Sequence, residues 1–384
     1  MGSRALKVVI AGGGTGGHVQ PAVATLEVLR RRLPIEALWI GSTGGIEAEA
    51  AHRAGVPFRA IPTGKLRRYL SLRTAVDAVR VPLGVLAALR ILRRVRPDVV
   101  FATGGFVSVP TVVAARVLGI PSLSHEQTAI VGLANRINAR FCNVLALTYD
   151  SSTAMVAGSR ARTVVTGNPI RPNLLDGDPE TVRDAFGFDP AAPLIYVTGG
   201  ALGAQAINNA VREALPDLLP LTQVLHQCGP AEANGDYPRL LAARAALPQD
   251  LQARYAVVER IGDELPGIYA AATAVVSRAG AGTVAEIATL GKPAILIPLP
   301  GAGGDEQTRN ARVLADDGAA VLLPQSELTP ERLVAEVRSL LDDPARRARM
   351  SERARAHGHA DAAERLADAI LDLAGRPVPE YART

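Results

Sequence analysis

Close to its start the chain reads KVVIAGGGTGGH, in which an apolar run, Val8 to Ile10, feeds five glycines interleaved with Thr15 and closed by His18. Glycines at a strand-to-helix turn bring main-chain N–H groups close to a ligand, and the helix N-terminus adds about half a positive charge. An anion, most naturally a phosphate, suits Thr15, Gly16 and Gly17. His18 adds an imidazole able to take a proton near neutral pH. The spacing is not that of a dinucleotide loop, GxGxxG with a lone acid about 20 residues on. That region reads LWIGSTGG, Leu38 to Gly45, which speaks against nicotinamide.

A second glycine turn, VTGGALGAQ, follows the apolar LIYV in the other half of the chain. Other unusual residues also follow apolar runs: Gly104, Gly105 and Ser108; HEQT at His125 to Thr128; SRAGAGTVAE at Ser277 to Glu286; and GDEQTRN at Gly304 to Asn310. In open parallel sheets ligands gather beyond the carboxyl ends of strands. Two glycine turns imply two phosphate-bearing ligands, or one long one. No nucleophile-elbow pattern is present, so covalent hydrolase chemistry is not expected. The acidic DGD at Asp176 to Asp178 lies in a proline-rich linker and reads as a solvated loop rather than a cation site.

These loops need elements to carry them. Apolar β-rich runs (VVIAGGG, LWIGS, VVFATGG, IPSLSHE, LIYVTGG, AVVSRAG, AILIPLP) alternate with helical segments, the pattern of parallel sheets covered on both faces. The expected fold is α/β with two doubly wound domains: residues 1–167, then 168–361, joined through TGNPIRPN. A terminal helix over 362–384 is expected to return to the first domain. The 384 residues, 48% hydrophobic, suffice for two cores. Two unrelated cysteines, Cys142 and Cys228, and an N-terminus that leaves no room for a signal peptide point to the cytoplasm. The longest charge-free stretch, Val99 to Ala115, is broken by Gly104, Gly105 and Pro110 and is too short to span a membrane.

Net charge is +5, yet Lys65, Arg67, Arg68, Arg73, Arg80, Arg90, Arg93, Arg94 and Arg96 stand against Asp77 alone in one segment. Val81, Val85, Leu86, Leu89 and Leu92 recur there at helical spacing, with Pro82 placed in a first turn. One reading is a solvated helix packing its stripe on the sheet. The other puts Leu66, Tyr69, Leu70 and their arginines on an anionic membrane face. Nucleic acid fits less well, because aromatic residues are only 4% of the chain and stacking needs them.

Taken in order, GGTGGH, GGFVS, HEQ, TGNPIR, GGALGA, SRAGA with TVAE, and a downstream Gln with NA resemble the MurG family nearly end to end. Members transfer N-acetylglucosamine to the lipid-linked muramoyl precursor of peptidoglycan. The resemblance implies a GT-B fold, two Rossmann-like domains facing across a cleft, with lipid acceptor on the first and UDP-N-acetylglucosamine mainly on the second. It implies a peripheral protein on the cytoplasmic face of the cell membrane, with partners UDP-N-acetylglucosamine, the undecaprenyl-pyrophosphoryl-MurNAc-pentapeptide lipid and the anionic membrane surface. No cofactor is required, leaving a divalent cation at most stimulatory. Glu286 suits a ribose diol, as an acceptor-only carboxylate can take two hydrogen bonds; the alternative is an ordinary first-turn acid. Ala281, Gly282, Thr283, Val284 and Ala285 would offer main-chain N–H groups to the diphosphate, and Ile261 matches the position whose main chain reads uracil. Arg171 can hold a phosphate as the leaving group gains charge, or be a solvated linker arginine. Gln307 and Asn310 match sugar-hydroxyl contacts.

Inverting transfer needs a base, for which His18 leads and His125 and Glu126 compete. Three positions depart from the family pattern. Ala201 stands where a serine is usual, Thr128 replaces the asparagine of HEQN, and Val109 replaces glycine in VSGP; Arg260 also stands where an aromatic is common. Those departures keep open a noncatalytic UDP-sugar-binding protein, and the related fold of UDP-N-acetylglucosamine 2-epimerases is a further alternative.

Overall fold

Strand β1 (Leu6–Gly12) is apolar on both faces because helices cover both sides of it. Leu6, Val8 and Ile10 pack with Leu26 and Leu29 of helix Gly16–Arg32 and with Leu366 and Ile370 of helix Ala362–Leu373. Val9 faces the other way, onto Ala88 and Leu92 of helix Leu72–Val95 and Ala114 and Ala115 of helix Ser108–Leu118. A computed structural model describes residues 4–14, 16–45, 47–64, 72–301 and 304–377, with backbone only for 72–79. Thr15 and the segment holding Lys65, Leu66, Arg67, Arg68, Tyr69 and Leu70 lie outside the described residues.

The first sheet adds β2 (Ile35–Ser42), β3 (Phe58–Ile61), β4 (Val99–Gly104), β5 (Ser122–Glu126), β6 (Val144–Leu147) and β7 (Arg162–Val165). Its order is β3-β2-β1-β4-β5-β6-β7, every pair parallel. A second sheet contains β8 (Leu194–Thr198), β9 (Gln223–Gln227), β10 (Tyr255–Val258), β11 (Ala274–Ser277), β12 (Ala294–Leu296) and β13 (Val321–Leu322). It repeats the plan, β10-β9-β8-β11-β12-β13, again all parallel. Each of the seven apolar runs named above contributes a strand. The others are short or lie at sheet margins, where too few apolar residues set a pattern.

The chain divides into two compact units, Met1–Ile170 with Ala360–Thr384, and Arg171–His359. The division falls inside TGNPIRPN, between Ile170 and Arg171 rather than at 167. The helix Ala362–Leu373 buries Ala363, Leu366, Ala367, Ile370 and Leu371 in the first core. Asp368 pairs with Arg32, and Asp372 with Arg162 at 3.2 Å.

The basic helix differs from its expected form. It begins at Leu72, so Pro82 lies in its interior and not in its first turn. One missing N–H removes one ladder bond, which packing of Ala88 and Leu92 outweighs. The stripe packed on the core is buried Ala88 and Leu92 with partly buried Val85 and Leu89, whereas Leu86 is 49% and Leu83 50% exposed beside exposed Arg80, Arg90, Arg93 and Arg94. Among the described residues no helix is long and apolar enough to cross a membrane.

Candidate active site

In both sheets the strand order reverses between the first strand and its later neighbour, β1 with β4 and β8 with β11. The crossovers leave in opposite directions there and open a crevice at the strand ends. In the first unit Gly12 pairs with Gly104 across that point. Gly104 and Gly105 both take left-handed backbone, φ +89° and +73°, which costs a side-chain-bearing residue but not glycine. A Cβ on Gly105 would lie 2.5 Å from the Gly13 carbonyl oxygen and 3.3 Å from His18 Cδ2, and one on Gly104 would lie 3.3 Å from His18 Cε1. The imidazole therefore rests against this bare backbone. His18 stands half-buried in the first turn of helix Gly16–Arg32, with Nδ1 2.9 Å from Gln127 Oε1.

The competing bases are placed differently. Glu126 is 3% exposed and its carboxylate is held by three N–H donors: Oε1 accepts from Thr128 N at 3.1 Å, and Oε2 accepts from Gly132 N at 2.8 Å and Asn135 Nδ2 at 3.0 Å, while the Thr128 hydroxyl lies between Oε1 at 2.8 Å and the Ile130 carbonyl oxygen at 2.5 Å. Thr128 thus serves Glu126. His125 is fully buried, its Nε2 3.0 Å from the Gly167 carbonyl, and burial lowers its pKa to about 4. Both belong to the end of β5 rather than to the loop after it. Val109, one of the departures, is 5% exposed in helix Ser108–Leu118, where an apolar side chain is at home.

Glu47 escaped the sequence reading. Completely buried at the start of helix Glu47–Arg53, it accepts from Ser42 N at 2.6 Å and Gly14 N at 3.2 Å. A Cβ on Gly13, Gly41 or Gly45 would meet its side chain at 2.3–2.5 Å. Burial works against its charge, but hydrogen bonds from the Ser42 hydroxyl, Ser42 N and Gly14 N prevail and hold the carboxyl below its ordinary value. The signal was an acid a few residues past β2, in TGGIEAE. In a dinucleotide fold such an acid would face a ribose, but here it turns back onto the glycine loop.

In the second unit, helix Ala281–Leu290 starts at Gly280 with no side-chain cap. Space over Gly280 and Gly282 is open. The N–H groups of Gly282 and Thr283 precede the first helical bond and lack a carbonyl one turn back. Val284 N already donates to Gly280 O at 3.0 Å, and Ala285 lies one residue deeper. Of the run Ala281 to Ala285, Val284 and Ala285 are therefore removed as amide donors to a ligand. Partly exposed Glu286, on the same helix, accepts from the Tyr269 hydroxyl at 2.7 Å, and Tyr196 packs edge-on to Tyr269 at 5.6 Å. Burial holds the Glu286 carboxyl above its ordinary value, against the Tyr269 hydrogen bond and the Arg171 charge. Arg171 also acts on Tyr196 and Tyr269, so Arg171 and Glu286 share one electrostatic neighbourhood. Tyr269 had no motif to announce it.

The remaining residues divide. Ala201 is exposed in the turn after β8, where Gly200 and Gly203 have φ of +80° and +72°. Ile261 lies half-buried in the loop after β10, its main chain unpaired among the described residues, and Arg260 beside it is exposed. Gln307 Oε1 accepts from Leu299 N at 2.9 Å, leaving its amide nitrogen toward solvent contacts. Asn310 is 1% exposed and donates to Ala279 O at 3.2 Å, so it braces the loop before Gly280 instead of facing outward. Asp178 caps helix Pro179–Phe186 through Glu180 N, and no cluster of metal-ligating side chains occurs among the described residues.

Residues 8–146 match the N-terminal domain model of glycosyltransferase family 28, and residues 194–366 its C-terminal domain model. A Desulforudis audaxviator protein described as UDP-N-acetylglucosamine--N-acetylmuramyl-(pentapeptide) pyrophosphoryl-undecaprenol N-acetylglucosamine transferase is 38% identical, over 97% of this chain and 99% of its own. A Listeria monocytogenes protein of the same description is 38% identical over 96% and 99%. Among solved structures, Acinetobacter baumannii MurG matches with a TM-score of 0.74 at 29% identity over 96% of this chain and 99% of that one. A UDP-GlcNAc 2-epimerase from Neisseria meningitidis, TM-score 0.66 at 14% identity over 96% and 100%, shares the fold.

Proposed function

The chain belongs to the MurG family within glycosyltransferase family 28 and has the GT-B fold; from that premise we propose that it transfers N-acetylglucosamine from UDP to the 4-hydroxyl of undecaprenyl-pyrophosphoryl-MurNAc-pentapeptide, with inversion. The observation that carries this reading is 38% identity to a transferase of that description across 97% of the chain, both units included. Chemistry at the two switch points supports it. In the second unit, Gly282 and Thr283 amides with Arg171 receive the diphosphate, Glu286 takes the ribose diol, and the Ile261 main chain reads the base. Gln307, through its amide nitrogen, contacts the sugar. In the first unit, Gly16, Gly17 and His18 attend the acceptor.

His18 Nε2 takes the proton of the acceptor hydroxyl as its oxygen bonds to the sugar C1. The C1–O bond to the diphosphate breaks, and the electron pair leaves on UDP, whose growing charge Arg171 and the helix amides stabilise. Glu126, held by three N–H donors, holds the loop. The exposed Leu83 and Leu86 among Arg80, Arg90, Arg93 and Arg94 supply apolar contact and charge for an anionic bilayer, which supports a peripheral position on the cytoplasmic membrane face.

Purified protein on phosphatidylglycerol vesicles containing the lipid acceptor should convert UDP-N-acetylglucosamine to lipid-linked disaccharide and UDP in equal amounts. UDP-sugar binding without turnover would establish the noncatalytic alternative, and a changed UDP-sugar formed without acceptor would establish an epimerase. In the same assay, Leu83→Ser with Leu86→Ser should reduce sedimentation with vesicles; unchanged sedimentation would remove this face from the membrane contact.

A further inference from the structure

We propose that Gln127 is a positioning residue that fixes the tautomer of His18, placing the proton on Nδ1 and the bare lone pair on Nε2. The inference rests on His18 being the base. The Thr103 carbonyl oxygen can only accept a hydrogen bond. Gln127 presents an amide atom to it at 2.8 Å, and that atom must be Nε2. Reversing the amide would put two oxygens together. Gln127 Oε1 is then the atom 2.9 Å from His18 Nδ1, so Nδ1 carries the hydrogen and donates it. In a neutral imidazole with a protonated Nδ1, the proton-accepting atom is Nε2, which takes no partner among the described residues.

The amide is itself held from behind. Gln127 Nε2 lies 3.1 Å from His125 Nδ1, and His125 Nε2 lies 3.0 Å from the Gly167 carbonyl oxygen. That carbonyl makes Nε2 the protonated nitrogen of His125, so Nδ1 is an acceptor, and the second Gln127 N–H is shared between it and the His125 carbonyl oxygen at 3.2 Å. Every link therefore has one consistent assignment, from Gly167 through His125 and Gln127 to His18. Burial keeps His125 neutral down to about pH 4, so the chain does not invert near neutrality. Gln127 is 1% exposed, so its amide is held within the core. The last residue of HEQ, Gln127, thus has a function separate from contact with either substrate.

Histidine-labelled protein should show His18 by nitrogen NMR as the Nδ1–H tautomer, with His18→Ala identifying its signals. This measurement needs no substrate. Gln127→Met, close in volume but without an acceptor, should redistribute the tautomers and lower kcat by about 10- to 100-fold with KM for UDP-N-acetylglucosamine unchanged. Gln127→Glu, whose neutral carboxyl can donate to Thr103 O and accept from His18, should keep the wild-type tautomer. An Nε2–H tautomer in the wild type, or a Gln127→Met protein with wild-type tautomer and kcat, would overturn the proposal. Full transfer activity in His18→Ala would instead remove His18 as the base while the NMR assignment stood on its own.

Discussion

A buried carboxylate with no cation beside it among the described residues marks where the first glycine loop is held. Glu47 joins the β1 and β2 loops through Gly14 N and Ser42 N, and three glycines leave the space it fills. Glu47→Ala strips the part-buried Ser42 N–H and the Gly14 N–H at the surface of their acceptor, each lost hydrogen bond to the carboxylate costing about 1 kcal/mol. It should lower the melting temperature and raise KM for the lipid acceptor while KM for UDP-N-acetylglucosamine stays put. Equal rises in both constants would mean that Glu47 supports the whole molecule rather than this loop. The residue scale also explains why candidates separate: His18 leads and Glu126 competes as letters, and the three N–H donors around the buried Glu126 carboxylate set it apart from half-buried His18.

Among the elements, helix Ala362–Leu373 has the clearest structural duty. It comes last in the chain yet completes the first core, with Leu366 and Ile370 fully buried. Its exposed ion pairs, such as Asp372 with Arg162, add little. Leu366→Ala should therefore destabilise the first unit by about 2–5 kcal/mol, seen as an earlier denaturant midpoint for that unit. Coincident loss in both units would show that they unfold together. The helix itself was legible, because its apolar residues recur at helical spacing after LDDPARRARM. The length of the basic helix was not, since Pro82 is locally a sound start signal, yet the helix begins at Leu72 and runs through it.

Across the whole molecule, two fully buried histidines couple folding to acidity. Burial lowers His125 to about 4 and His226 to about 3, and His226 lies between the Tyr255 hydroxyl at 2.9 Å and Asn208 Oδ1 at 3.0 Å. Both folded values lie below the unfolded value near 6.5, so the unfolded chain takes protons first. Stability is flat in this respect above about pH 6.5 and falls as pH drops toward each folded value. Each unit holds one such histidine and should lose about 2 kcal/mol between pH 7 and pH 5. Thermal melts across that range test this, and an unchanged melting temperature at pH 5 would contradict it.

Local sequence determined which segments become strands and where glycine must bend the chain, because apolar runs, helical periodicity and positive φ are properties of near neighbours. It also carried the family, since the motifs keep their order along both halves. Tertiary structure alone decided which polar groups are satisfied and which remain for a ligand. Glu47 reaches Gly14 across 33 positions and Gln127 reaches His18 across 109. Asn310 turns inward to Ala279, and the Val284 amide is consumed by its own helix. A hydrogen bond needs its partner within about 3 Å, and which residues come that close is set by the packing of sheets and helices rather than by spacing along the chain.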